Sequence, residues 1–298
     1  MRISSNNVSD AIVRQIQQLN SQQAKLQNQV STGQRISQPE DDPAAVGRVL
    51  NLESESRQLA QFGANASRAL ELAQASASGL QGLKKISDRA GQLATLGTGV
   101  LGADGMKTYA SEADQLIEQA LQFANTQSNG DYIYSGTKVD TAPFTATRDA
   151  NGQITSVTYT GTAAAAAIPL SGATSVSATT DGATNTGFAD FLNGLVALRD
   201  ALNSGTVANV TAAQPALAGS EDLLVSAIAD NGGAQTRIEA TQSQQADRAT
   251  SLTGLISHET DADLPSTIVK LNQTQTAYQA ALASAAKIMN QSLLDYIK

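Results

Sequence analysis

The sequence of 298 residues contains no cysteine, no tryptophan and a single histidine, and aromatic side chains make up only 4% of it. Each shortage excludes something. Without thiols there are no disulfides and no thiolate metal sites. One histidine, His258, cannot supply the paired imidazoles of a zinc-protease helix, and it leaves a serine triad a single possible base. With few rings there is little to fill a wide globular core. Small side chains suit helices packed closely along their length, each burying a narrow stripe. Long apolar runs are missing too: the longest, Ala163 to Ile168, falls far short of the ~20 residues a membrane span needs. The first twenty residues lack the apolar core of a secretory signal. By default that predicts a cytosolic protein, with export by a route that reads no cleavable signal left open. Positive charge is outnumbered, 19 Lys and Arg against 27 Asp and Glu, for a net charge of −8. No basic cluster with interleaved aromatics occurs, which disfavours phosphate-backbone binding; the acidic balance reads as solubility.

What is present is helical periodicity. Near the start, Ile12, Ile16, Leu19, Leu26 and Val30 recur at alternating steps of four and three, with Gln23 interrupting. Near the finish, Leu264, Ile268, Leu271, Tyr278, Leu282, Ala285 and Met289 do the same, with Gln275 in the matching slot. Both predict a helix that must bury one seam. Gly33 and Pro39 stop the first helix, and Asp42-Pro43 reads as an N-cap followed by proline in the first turn of the next. No proline then occurs from Ala44 to Leu96. Leu52, Leu59, Ala66, Ala73, Leu80 and Ala94 mark one row of its seam, and Phe62, Ala69, Leu83 and Ala90 the other. A helix of that length, at about 1.5 Å per residue, exceeds the width of an ordinary domain. A glycine-rich break over 97–105 precedes a helix from about Lys107 to Ser128.

From Asp131 to about Thr186 the chain is dense in Gly, Thr, Ser and Asp, and Asn151-Gly152 between alternating stretches predicts a β-hairpin. Helices are expected again from Phe188 to Ser204 and from Gln214 to Ser257, with a last break from His258 to Pro265. The fold class is therefore mainly α: a long antiparallel helical rod with coiled-coil-like termini and a small β-rich outer domain inserted mid-chain.

Candidate chemistry is thin. His258 with Glu259, Asp261 and Asp263 suggests a metal site less than it suggests a solvated helix start, with Asp261 or Asp263 as cap. Asp41-Asp42 reads as capping before it reads as an acid–base pair. Asp149-Ala-Asn151-Gly152 opens like a calcium loop, but Gly161 stands where the closing glutamate is required. No phosphate loop exists, Gly97, Gly99, Gly102 and Gly105 being scattered. The expectation is a protein that is not an enzyme and takes no cofactor or metal. The terminal stripes remain. Two helices alone bury little, so Ile12, Ile16, Leu19, Leu26, Val30, Leu264, Ile268, Leu271, Tyr278, Leu282, Met289, Leu293 and Tyr296 are assigned to an assembly interface with other copies.

At these residues the sequence resembles the bacterial flagellin family. Gln29–Ala45 (QVSTGQRISQPEDDPAA) is similar to the signature that follows the family's first helix, and Gln275–Ile297 (QTAYQAALASAAKIMNQSLLDYI) to its closing helix. The opening Met1-Arg-Ile-Ser, the closing Ser292–Lys298 and Asp131–Phe144 (DYIYSGTKVDTAPF) resemble the junction members between hook and filament more than filament flagellins, from which Ser4-Ser5-Asn6-Asn7 departs. The resemblance implies a terminal assembly domain (1–41 with 262–298), a helical rod domain (42–133 with 190–261) and an outer β domain (134–189). It implies a secreted subunit of the flagellum, exported unfolded by the type III route with a chaperone at the C-terminal helix. Its partners would be its own copies, the preceding hook-associated protein and flagellin, with no nucleic acid and no membrane insertion. Filament flagellin itself is the alternative. A cell-surface polysaccharide binder, stacking sugars on Tyr132, Tyr134, Phe144 and Tyr159, is a further one.

Overall fold

A computed structural model describes residues 2–99 and 102–297, and their side chains for 10–99 and 102–287. Six helices and six short strands follow in the order α1 (Arg2–Thr32), α2 (Pro43–Gly97), α3 (Ala103–Ala124), β1 (Gln127–Ser128), β2 (Asp131–Tyr132), β3 (Phe144–Arg148), β4 (Ile154–Tyr159), β5 (Ala167–Pro169), β6 (Ser175–Ser177), α4 (Gly182–Asn203), α5 (Val207–Thr260) and α6 (Leu264–Ile297). The chain falls into two compact units, one of residues 1–57 with 248–298 and one of residues 58–247.

The helix boundaries follow local chemistry. Gly33 closes α1 at φ +72°, a left-handed conformation that glycine adopts without strain, its N–H donating to the Gln29 carbonyl at 2.9 Å. Asp42 caps α2: its Oδ1 accepts from the Ala45 N–H at 3.0 Å, and Pro43 fills the first turn where no donor is needed. Asp181 caps α4 in the same way through the Thr184 N–H at 2.8 Å. That cap starts α4 at Gly182 rather than near Phe188, shortening the β-rich stretch. α5 begins at Val207, earlier than expected, and carries Pro215 within it. Val210 and Leu217, both buried, hold this stretch against the core. The helix then runs through His258 to Thr260, so the last break is narrower than the sequence suggested.

In the unit of residues 58–247, buried positions on α2 recur at Ala66, Ala69, Ala73, Ser76, Leu80, Leu83, Ser87, Ala90 and Ala94, a sustained three–four repeat. Phe188, Phe191, Leu192 and Leu195 of α4, Met106 and Ile117 of α3 and Phe144 and Ile154 of the hairpin complete one core with its upper half. Tyr134 meets Phe188 edge-on, with ring centroids 5.8 Å apart. Its hydroxyl donates to the Ser76 carbonyl at 2.8 Å, while burial raises its pKa.

The strands form three separate antiparallel pairs: β1 with β2, β3 with β4 and β5 with β6. The β3–β4 hairpin turns at Asn151-Gly152, where Gly152 has φ +84° and the Asp149 carboxylate accepts from the N–H groups of Asn151 and Gln153 at 2.9 Å each. Two asparagine amides then stand in for neighbouring strands. Asn125 exchanges two hydrogen bonds with the main chain of Phe144 (2.9 and 3.0 Å), and Asn193 two with Val157 (2.8 and 2.9 Å). Each strand of the hairpin thus has one outward-facing residue satisfied without a larger sheet.

Candidate assembly surface

The other unit is built on the pairing of α1 with α6. α1 arrives at the junction where α6 departs, so the two lie antiparallel. On α1 the covered positions are those of the sequence seam: Leu26 is buried, and Ile12, Ile16, Leu19, Gln23 and Val30 are half-buried. On α6 the covered positions are Thr267, Leu271, Thr274, Tyr278, Ala281 and Ala285, again at steps of four and three. Leu271, Tyr278 and Ala285 belong to the sequence stripe. Leu264, Ile268 and Leu282 do not face α1; they remain 40%, 44% and 43% exposed on the flank of the pair. Met289, Leu293 and Tyr296 lie outside the described side chains.

The reason for this rotation is the size of the second row. Thr267, Thr274 and Ala281 let the α6 backbone approach α1 closely. Burying the two hydroxyls leaves neither unpaired, because they donate to the carbonyls of Asp263 and Lys270, four residues back, at 2.8 Å each. The bulkier Leu264, Ile268 and Leu282 are left as a separate apolar row. An exposed aliphatic row beside a thin seam is a surface that gains by being covered.

Where the seam ends, the segment between α1 and α2 fastens four helix ends together. The main chain of Gln34 pairs with that of Asp261 in an isolated antiparallel bridge. Flanking it, the Arg35 N–H donates to the Thr260 carbonyl at 2.7 Å, and the Ala262 N–H to the Gly33 carbonyl at 2.8 Å. Arg35 also reaches the Glu259 carbonyl at 2.8 Å and the Asp42 carboxylate at 3.1 Å. Arg48 grips the Glu259 carboxylate with two bonds, 3.0 and 2.8 Å, and Lys25 pairs with Asp41 at 2.7 Å. These contacts shift the acids as expected. Asp41 lies well below the ordinary carboxylate range because of Lys25 and the N–H groups of Ser37 and Gln38. Asp42 is lowered by the Ala45 N–H and then by Arg35, and Glu259 by Arg48.

Asp41 and Asp42 are therefore fully engaged in this clasp. The contacts that Arg35, Arg48 and Glu259 make here are not foreseen by the sequence reading, which weighs Glu259 only beside His258 and takes Arg35 only as part of the signature segment. Arg35 stands in the signature segment, but Glu259 lies 211 residues beyond Arg48, with nothing local to connect them. His258 occupies the last turn of α5 and Asp263 precedes α6, its carboxylate 3.4 Å from the Ser266 N–H. Among the described residues no group of three or more His, Asp or Glu side chains is placed to hold a metal ion, and no helix is long and apolar enough to cross a membrane. Tyr134 and Phe144, weighed as sugar platforms, are core residues, and the Tyr159 hydroxyl is committed to the Thr162 carbonyl at 3.0 Å.

Residues 3–139 match the family model of the bacterial flagellin N-terminal helical region. The flagellar hook-associated protein 3 of Salmonella typhimurium is 30% identical over 146 residues, which are 48% of this chain and 46% of that protein. The chain thus spans about half the length of the curated relatives it matches. Among solved structures, a flagellar hook-associated protein from Vibrio parahaemolyticus is similar with a TM-score of 0.65 at 18% identity, covering 74% of this chain and 100% of that one. The FlgL protein of Bacillus cereus is similar with a TM-score of 0.58 at 18% identity, covering 71% and 100%. These two show the fold: helical, with a small sheet-containing region mid-chain.

Proposed function

We propose, from a chain whose residues 3–139 match the flagellin N-terminal helical region and which is 30% identical to hook-associated protein 3 over 146 residues, a structural subunit of the bacterial flagellum that joins hook to filament through its terminal helices. The observation that carries this is the uncovered row of Leu264, Ile268 and Leu282 beside a seam too thin to stand alone. Ordering each residue of such a pair costs about 1–2 kcal/mol in backbone entropy. The α1–α6 seam returns little of that, since most of its positions are only half-buried. Neighbouring subunits supply the rest: covering the remaining area of each exposed aliphatic contributes about 1 kcal/mol. Contacts of this heterologous kind build rings and helical arrays.

On this reading the subunit leaves the cell by the flagellar type III route, held before export by a chaperone at its C-terminal helix. It then stacks between the preceding hook-associated protein and the first flagellin. The test is a triple substitution, Leu264→Ser with Ile268→Ser and Leu282→Ser, in cells lacking the wild-type protein. The variant should reach the medium and retain the wild-type circular dichroism, while electron microscopy shows hooks without filaments. Normal filaments on cells that export the variant would overturn the proposal.

A further inference from the structure

The unit of residues 58–247 contains a half-enclosed pocket of about 320 Å³, lined by Ser177–Thr180, by Asp181 and Thr184 at the start of α4 and by Asp230 and Asn231 of α5. Its floor is polar and committed in one direction. Gln235 Nε2 donates to the Ala73 carbonyl at 3.3 Å and to Asn231 Oδ1 at 2.6 Å. A carbonyl only accepts, so the Gln235 amide has one orientation, and Asn231 must turn its oxygen toward it. Asn231 is 7% exposed and lines the pocket, and among the described residues its Nδ2 has no hydrogen-bond partner. A donor with no partner in the protein, beside a pocket, is free to serve an acceptor held there.

Two further features face the same space. Beyond Ser177, the last paired residue of β6, the main chain of half-buried Thr179 makes no hydrogen bond among the described residues. Asp181 and Asp230 put two carboxylates on the wall, and neither Lys nor Arg lines it. An anionic ligand is repelled there, and a bare cation leaves the Asn231 donor unserved.

We propose that this pocket docks a peptide segment bearing a lysine or arginine. The segment's main chain lies beside that of Thr179. One of its carbonyls accepts from Asn231 Nδ2, and its cationic side chain enters between Asp181 and Asp230. The site is independent of the terminal helices and of the flagellar reading, so either can fail without the other.

The test titrates a blocked Ala-Lys-Ala tripeptide into the full-length protein, read by amide NMR shifts, with blocked Ala-Gln-Ala as the neutral control. Saturable shifts confined to Ser177–Thr184 and Asp230–Ala234 are expected for the lysine peptide. Binding should weaken about tenfold in Asp230→Asn, the loss of one hydrogen bond to a charged group. Asp230 is exposed, so this variant should melt like the wild type. Asn231→Leu should weaken the lysine peptide further at an unchanged circular dichroism spectrum. Equal shifts from the neutral peptide, undiminished binding to Asp230→Asn, or no saturable shift at all would each overturn the proposal.

Discussion

The two units bury different kinds of side chain. Residues 58–247 enclose Tyr134, Phe144, Phe188, Phe191, Met106 and a ladder of leucines at under 2% exposure. In the unit made from the two ends, Leu26, Ala45 and Leu252 are the only buried apolar side chains among the described residues, accompanied by Thr267 and Thr274. Aromatics are scarce in the chain as a whole, and those buried are concentrated where one unit must hold itself together. A unit whose seam is made of half-covered aliphatics, threonines and alanines gains stability mainly when something else covers it. The difference separates a part that folds on its own account from a part whose packing awaits partners.

That contrast breaks if core and seam respond alike to truncation. Phe191→Ala removes a fully buried ring and should cost about 3–5 kcal/mol of global stability in denaturant unfolding. Asp114→Asn comes next. Arg199 is 3% exposed and donates to Asp114 at 3.0 Å, to Asp200 and to the Ile154 carbonyl at 2.7 Å. Neutralising one acceptor weakens the link between α3, α4 and the hairpin, and the unfolding free energy should fall by about 1–3 kcal/mol. Leu26→Ala should cost about 2 kcal/mol or less, because a two-helix seam relaxes around the gap. Its effect should be local: hydrogen exchange speeds up along α1 and α6 while the amides of α4 keep wild-type protection. Equal loss of protection in α4 would mean that the two units are one cooperative whole.

Much of the helical pattern was legible in the sequence, for a physical reason. Helical periodicity is local, so the α1 seam and the α2 row through Ala66, Ala73, Leu80 and Ala94 could be read from spacing alone. The caps were legible too, since Asp42-Pro43 and Gly33 act within a turn of their own position. Rotation of α6 was not. Hydrophobicity points to Leu264, Ile268 and Leu282, whereas close approach favours Thr267, Thr274 and Ala281, and packing against α1 decides between them. Ser76 and Ser87 likewise fill seam slots that an apolar pattern skips. The clasp was hidden for a different reason: Arg48 and Glu259 meet only once the two ends of the chain have come together.

The smallest expected effect is also the one that sharpens the comparison most, because it acts on the end unit alone. Asp41, Asp42 and Glu259 all have folded-state pKa values below their ordinary ones. For a carboxylate so lowered, the stabilisation is fully present above the unfolded value, roughly 4, and is lost as pH falls through the folded value. The clasp should therefore be unaffected between neutral pH and about 5 and should loosen below about 4. The amides to follow are those of Arg35 and Ala262, whose bonds to Thr260 and Gly33 form the main-chain bridge. Their protection factors, corrected for intrinsic exchange, should fall with acidification before those of Phe188 and Leu192 in the other core. Glu259→Gln should remove part of that acid sensitivity, since its amide does not titrate, though it can accept only one of the two Arg48 bonds. Pairs this exposed are screened by salt, so raising ionic strength at neutral pH should reproduce a fraction of the same loosening. Protection at Arg35 and Ala262 that stays level down to pH values where the α4 amides open would show that the main-chain bridge holds without its charges.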